Sequence, residues 1–178
     1  MARYLLVKPA GKTMKFCPQC GNPLQLRQID ELSRLACSHQ GCQYVYWNNP
    51  VPVVAALIEY DGNYIIARNV QWPRRIYSLI SGYLEAGETP QQAVVREVGE
   101  ELGLSAKIIR WLGNYAFFEK NQLILCYEVQ AWGALKTNHE LADVKLLRRD
   151  EFAAYDFSPL TITQQILTDW KNLNKAMV

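Results

Sequence analysis

From Val51 to residue 70 the chain alternates between two apolar, β-branched stretches and a short polar break at Asp61-Gly62-Asn63. Val51–Tyr60 and residues 64–70 therefore read as the two strands of a hairpin with an Asp-Gly turn. Further on the period changes. At ~100° per residue Val94, Val95, Val98 and Leu102 fall in one sector, the signature of an amphipathic helix. Its ends are marked too: Thr89 suits the N-cap, Pro90 the first helical position, and Gln92 completes a capping box, while Gly103 supplies the stop. Residues 106–118 and Gln122–Trp132, rich in β-branched and aromatic side chains, flank Glu119-Lys120-Asn121 and form a second predicted hairpin. A last strand over 145–149, a short helix from Asp150-Glu151-Phe152 and a terminal amphipathic helix over 159–173 complete the pattern. Cys126, inside an apolar strand, reads as buried filler.

The polar side of the helix carries the first candidate chemistry. Glu97, Glu100 and Glu101 stand at i, i+3 and i+4, and their repulsion costs ~0.2–0.5 kcal/mol per pair on an exposed helix. Arg96 is the one cation on the helix, and Glu85 and Glu88 in the preceding loop add further acid. A hard divalent cation, Mg²⁺ or Mn²⁺, resolves the conflict, since it takes oxygen ligands and commonly substrate phosphate as well. A solvated acidic face is the alternative.

Cysteine supplies the second constellation. Cys17-Pro-Gln-Cys20-Gly is followed by a polar stretch able to form a hairpin and then by Cys37-Ser-His-Gln-Gly-Cys42. Four thiolates complete a tetrahedral structural Zn²⁺ site in a module too small for a core of its own. His39 in place of one cysteine, or redox-active disulfides, are the alternatives. Residues 16–47 are thus expected to be a zinc ribbon, 1–15 an N-terminal tail, and 48–178 the main domain, with Pro50 and Pro52 disfavouring helix at the junction.

Composition excludes more than it suggests. A net charge of +2 gives no global reason to expect nucleic acid, and no apolar stretch of ~20 residues points to a membrane. Without a long apolar leader, a cytoplasmic location is expected. In the loop around residues 71–75, Arg74 and Arg75 could reach a pyrophosphate, and Trp72 or Tyr77 could stack on a base or flavin ring. Solvated arginines and core aromatics are the alternative.

The spacing of Gly82, Glu88, Arg96-Glu97-Val98, Glu100-Glu101 and Gly103-Leu104 resembles the Nudix box at every defining position. The resemblance implies an α+β fold, an α/β/α sandwich with a mixed sheet, preceded here by the small zinc ribbon. It also implies metal-dependent hydrolysis of a nucleoside diphosphate linked to another moiety. By position, Glu97, Glu100 and Glu101 should ligate metal or activate water, with Glu97 or Glu100 as the base. Arg96 should orient a catalytic carboxylate, Glu88 should support the loop or approach the metal through water, and the carbonyl near Ser81 and Gly82 should be a further ligand. Glu140, shortly before the last strand, matches the place of another metal-site carboxylate in similar proteins.

A ribbon followed by Tyr44-Val45-Tyr46-Trp47-Asn48-Asn49-Pro50 and then the box is similar to the zinc-ribbon Nudix group, which includes NADH pyrophosphatases and plant FAD pyrophosphatases. The NADH pyrophosphatases carry a Ser-Gln-Pro-Trp-Pro-Phe-Pro array beyond the box. This chain has Gly113-Asn114-Tyr115-Ala116-Phe117-Phe118-Glu119 there, leaving Tyr115 and Phe117 as stacking groups, with core packing as an equal competitor. NADH, FAD and ADP-ribose all remain open as substrates. The expected partner is thus a small dinucleotide or nucleoside diphosphate derivative, with a homodimer as in similar enzymes. The near-neutral ribbon argues against strong nucleic-acid binding. The rival readings are a non-catalytic ligand sensor and removal of a nucleotide cap from RNA.

Overall fold

A computed structural model describes residues 14–175; most of the expected tail, residues 1–13, lies outside the described residues. The chain divides into two compact units, one running to Pro50 and taking in Phe118–Asn121, the other holding Val51–Phe117 and the chain from Gln122 onward.

In the first unit, β1 (Leu24–Ile29) and β2 (Leu32–Cys37) form an antiparallel hairpin, and β3 (Val45–Tyr46) adds to the free edge of β2. Asp30 and Glu31, both at positive φ, make the two-residue turn. Among its described residues only Cys17, Ala36 and Cys37 are buried apolar groups, so this sheet has almost no core.

The second unit is built on the strand order β7-β8-β4-β5-β9, where β4 is Val51–Tyr60, β5 Asn63–Asn69, β7 Ser105–Phe117, β8 Gln122–Trp132 and β9 Leu141–Arg148. The sheet is mixed, as expected: β4 runs parallel to β8, and the other pairings are antiparallel. The far edge of β4 is shared, Val53–Ala56 pairing with β6 (Ile80–Tyr83) and Ile58–Tyr60 with β5. Period-2 alternation sorts the strands onto two cores. Val54, Ala56, Ile58, Ile65 and Val129 pack with Val94, Val98 and Leu102 of α1 (Pro90–Leu102). On the opposite face Ala55, Leu57, Tyr64 and Ile66 pack with Phe152 of α2 (Arg149–Ala154) and with Ile166, Leu167 and Trp170 of α3 (Thr161–Lys175). This is the α/β/α sandwich.

Helix α1 has the ends its sequence calls for. Thr89 caps it and shares a reciprocal box with Gln92, and Gly103 closes it in the left-handed region at φ 67°. The last strand begins earlier than its pattern suggests, at Leu141 rather than near 145. The cause is pairing with β5, where Arg68 lies opposite Asp143, and Val70 N–H donates to the Glu140 carbonyl just outside the ladder.

Candidate active site and cysteine cluster

Arg96 organises the acidic face of α1. All five of its N–H donors are used: Nε and Nη2 grip the two Glu88 oxygens at 3.0 and 2.8 Å, and Nη2 also reaches the Tyr83 carbonyl at 3.1 Å. Nη1 donates to Glu97 at 2.8 Å and Glu100 at 3.0 Å. Glu88 in turn accepts from the Glu85 amide at 2.8 Å, which fixes the turn between β6 and α1. The bidentate pair holds the Glu88 carboxyl below the usual carboxylate range.

The remaining acids sit differently. Glu101 is only 9% exposed, and among the described residues it makes no ion pair. Burial, followed by the charges of Glu97, Glu140 and Glu100, pushes its carboxyl up to about 7. Burial also raises Glu97, in spite of Arg96. The site thus carries carboxylates that destabilise one another's charged forms, and added positive charge would relieve this. Glu100 is exposed on the rim. The C-terminal end of α1 is pinned by the loop between β8 and β9, Lys136 N–H donating to the Leu102 carbonyl and Asn138 N–H to that of Glu101. The Asn138 side chain also accepts from the Glu140 amide, so one loop ties Glu101 to Glu140.

Gly82 permits the closest approach in the site. A Cβ there would stand 1.9 Å from the Glu97 Oε1 and 2.0 Å from its Cδ. Gly82→Ala must therefore push the Glu97 carboxylate aside. Because a flexible side chain gives way rather than backbone, we expect a small change in melting temperature but a loss of activity of about 10²-fold. A variant with wild-type turnover would show that the position of Glu97 is immaterial.

A cleft beside these acids is lined by Ala67, Asn69, Leu79, Ser81, Glu101 and Leu141, with Trp72 at its side. Trp72 is 37% exposed and available for stacking, whereas Arg74 and Arg75 are exposed in the loop and do not line the cleft. Two expected stacking groups are corrected by the fold. Tyr77 is buried in the α3-side core, donates its hydroxyl to Asp143 and has the Lys145 ammonium 4.0 Å from its ring centroid. Tyr115 is buried in the same core and donates to Asp169 at 3.0 Å. Neither ring face is open to a ligand. Phe117 is half-buried at the end of β7 and also lies outside the cleft lining. Asn69 and Leu141 were not marked by the sequence. They enter the cleft through the register shift between Arg68 and Asn69, for which the sequence carries no local signal.

The cysteines converge in the first unit. The sulfurs of Cys17, Cys20, Cys37 and Cys42 all lie within 4.8 Å of one another. The Cys17–Cys42 and Cys20–Cys37 separations of 3.7 and 3.4 Å exclude disulfides and approach the S–S edge of roughly 3.8 Å in a tetrahedron with Zn–S bonds of ~2.3 Å. Hydrogen bonds from Asn22 draw the Cys20 thiol down to about 6, while burial pushes Cys37 up to about 12. The His39 ring is not part of the cluster: its Nδ1 accepts from the Gly41 amide at 3.2 Å, while the His39 backbone N–H donates to the Cys37 sulfur at 3.4 Å.

The Nudix domain family matches residues 49–166, two thirds of the chain. The chain belongs to the Nudix family. The zinc ribbon found N-terminal to Nudix domains matches residues 15–47, which contain the four clustered cysteines. Among curated relatives, a protein of Vibrio atlanticus (strain LGP32) named NAD-capped RNA hydrolase NudC is 28% identical over 171 residues, covering 94% of this chain and 61% of the relative. One of the same name from Vibrio vulnificus (strain CMCP6) is 31% identical over 142 residues, 78% of this chain and 52% of the relative. The chain thus spans only about half to three fifths of the length of these Nudix relatives. Among solved structures, a Nudix hydrolase from Nitrosomonas europaea superposes with a TM-score of 0.73 at 24% identity, covering 86% of this chain and 88% of that one. The E. coli ORF135 protein gives 0.59 at 27% identity, over 72% and 93%. Among the described residues no helix is long and apolar enough to cross a membrane.

Proposed function

We propose that the chain hydrolyses the pyrophosphate bond of a nucleoside diphosphate linked to a second moiety, of the NADH, FAD or ADP-ribose type, and releases two monophosphates. The observation that carries this reading is the buried Glu101, raised in pKa among Glu97, Glu100 and Glu140 and lining a cleft beside an exposed tryptophan. The donor set is all oxygen and fits Mg²⁺ or Mn²⁺. Glu97, Glu100, Glu101, Glu140 and the carbonyl near Ser81 and Gly82 would hold the cation. When bound, such an ion neutralises a diphosphate and lowers the pKa of a water.

The chain's own residues then have separable tasks. Arg96 holds Glu97 and Glu100 in place, and Glu88 anchors Arg96 to the loop. Trp72 offers a face for a base or other flat ring. Glu97 or Glu100 accepts the proton of an attacking water. The water oxygen bonds to one phosphorus, the bridging P–O bond breaks, and its electron pair leaves with the second phosphate. In the first unit, the four thiolates would hold a structural Zn²⁺.

A second reading, removal of a nucleotide cap from RNA 5′ ends, is favoured by the names of the curated relatives and breaks the same kind of bond. The test is a hydrolysis screen with Mg²⁺ or Mn²⁺ against NADH, NAD, FAD, ADP-ribose and RNA carrying a 5′ dinucleotide, with chromatographic separation of products. Cleavage of one diphosphate into two monophosphates supports the reading and names the substrate. Silence across the panel, in folded protein holding zinc, overturns it.

A further inference from the structure

The second unit holds a further cavity, on the face of its sheet opposite α1. Leu57 and Tyr64 belong to the core beneath α3, and Glu59, two residues beyond Leu57 on β4, lies on the same face. There the apolar layer ends. Gln130 on β8, Glu59 on β4 and Tyr64 on β5 are directly paired across the sheet and form one polar row. With Ile109, Glu128 and Arg149 they line a cavity of about 380 Å³, within the ~300–1,000 Å³ usual for small-molecule sites.

The walls carry opposite charges that do not meet. Arg149 is held by two aromatic residues: its Nη1 donates to the Tyr64 hydroxyl at 3.3 Å, and its guanidinium lies 5.1 Å from the Trp170 ring centroid. Glu59 is held by the turn that follows it, accepting from the Gly62 N–H at 2.9 Å. Among the described residues neither Arg149 nor Glu59 makes an ion pair, so more than 4.0 Å separates their charged atoms. Glu128 differs, for its two oxygens accept from Arg110 at 2.5 Å and from Trp170 at 2.9 Å. Its charge is answered within the protein. The apolar wall is Ile109, which falls in the register shift between Ile108 and Arg110 on β7 and stays 51% exposed. Bulges re-aim side chains, and this one gives the polar row an apolar neighbour.

A guanidinium fixed in advance suits a carboxylate, and a fixed carboxylate suits an ammonium, since little side-chain freedom is left to lose on binding. A phosphate dianion would be repelled by Glu59. A molecule with one ammonium, one carboxylate and an apolar side chain complements all three walls. We propose that this cavity binds a free amino acid with an apolar side chain, its carboxylate on Arg149, its ammonium on Glu59 and its side chain against Ile109. The inference goes beyond the hydrolytic reading and does not depend on it.

The test uses the full zinc-loaded chain, isotope-labelled for NMR and titrated with L-leucine. Amide shifts should centre on Gly62, Tyr64, Gln130 and Arg149 and saturate with a Kd of about 1 mM or tighter. Arg149→Gln and Glu59→Gln should each weaken binding about tenfold or more. Both should melt close to the wild type, since glutamine at 59 still accepts from the Gly62 amide. Ile109→Ser, at an exposed position, should weaken binding about fivefold. N-acetyl-leucine lacks the ammonium and should bind the wild type about tenfold more weakly than L-leucine does, a difference that disappears in Glu59→Gln. Leucinamide lacks the carboxylate, and its deficit should disappear in Arg149→Gln. Absence of shifts at these amides, or affinities unchanged by the three substitutions, would overturn the inference. So would N-acetyl-leucine or inorganic phosphate binding the wild type as tightly as L-leucine, which would leave Arg149 a simple anion site. A failed hydrolysis screen would leave this result unaffected.

Discussion

Glu101→Gln is expected to lower turnover about 10³-fold while making the metal-free protein more stable at pH 8. The two effects have one origin. Glu101 is nearly buried, makes no ion pair among the described residues, and Glu97, Glu140 and Glu100 add to the cost of its charge, so its folded-state pKa stands at about 7 against an ordinary 4.5. A carboxyl raised in this way favours the folded state at pH below 4.5. That contribution fades as pH rises and is gone above about 7, where the folded protein must hold the charge. The shift corresponds to about 3 kcal/mol. Glutamine keeps the shape and removes the charge. Melting temperature should therefore rise by several degrees at pH 8 without divalent metal and change little at pH 5. In the wild type, Mg²⁺ should recover much of the difference at pH 8, and the variant should respond far less. Turnover measured with the preferred diphosphate, together with melts at both pH values, decides the matter. A variant that loses activity and is destabilised equally at pH 5 and pH 8 would mark Glu101 as a packing residue.

Cys37→Ser should have an effect of comparable size on the other unit. Its described residues bury only Cys17, Ala36 and Cys37 as apolar groups, and two of those are members of the sulfur cluster. Hydrophobic burial therefore contributes little, and on the proposed zinc site the order of β1–β3 would depend on the bond between metal and thiolates, with an apparent binding free energy of about 10–16 kcal/mol in small zinc modules. Loss of one thiolate, or treatment with a strong chelator, should release one equivalent of zinc and open residues 14–50 to proteolysis. Amide hydrogen exchange in the Val51–Tyr60 strand should keep its protection, since that strand lies in a fully packed sheet. A Cys37→Ser protein that resists protease in the ribbon without metal would refute the idea that metal replaces a core.

Much of the molecule was legible in local pattern. Thr89, Pro90, Gln92 and Gly103 mark the ends of α1 because orphan backbone groups need caps wherever a helix ends. Asp61-Gly62 makes a hairpin turn because its φ values suit small or polar residues. Both are short-range effects written in adjacent residues. The four cysteines were legible too, since so short a module offers few other ways to hold itself together.

Only the tertiary structure separated residues that look alike in sequence. Tyr77, Tyr115 and Trp72 are all aromatic residues near the box, yet Tyr77 and Tyr115 close over the α3-side core and Trp72 stays open; side-chain type cannot say which layer will cover it. Glu100 and Glu101 are neighbours on one helix, but a rotation of ~100° leaves Glu100 in solvent and turns Glu101 into the cleft, where desolvation raises the Glu101 carboxyl. The Arg34–Trp47 contact joins residues thirteen apart through strand register. Sequence by itself determined which elements form and which residue types they carry. Burial, register and the approach of Gly82 to Glu97 were decided by packing, because they depend on what lies across the sheet rather than along the chain.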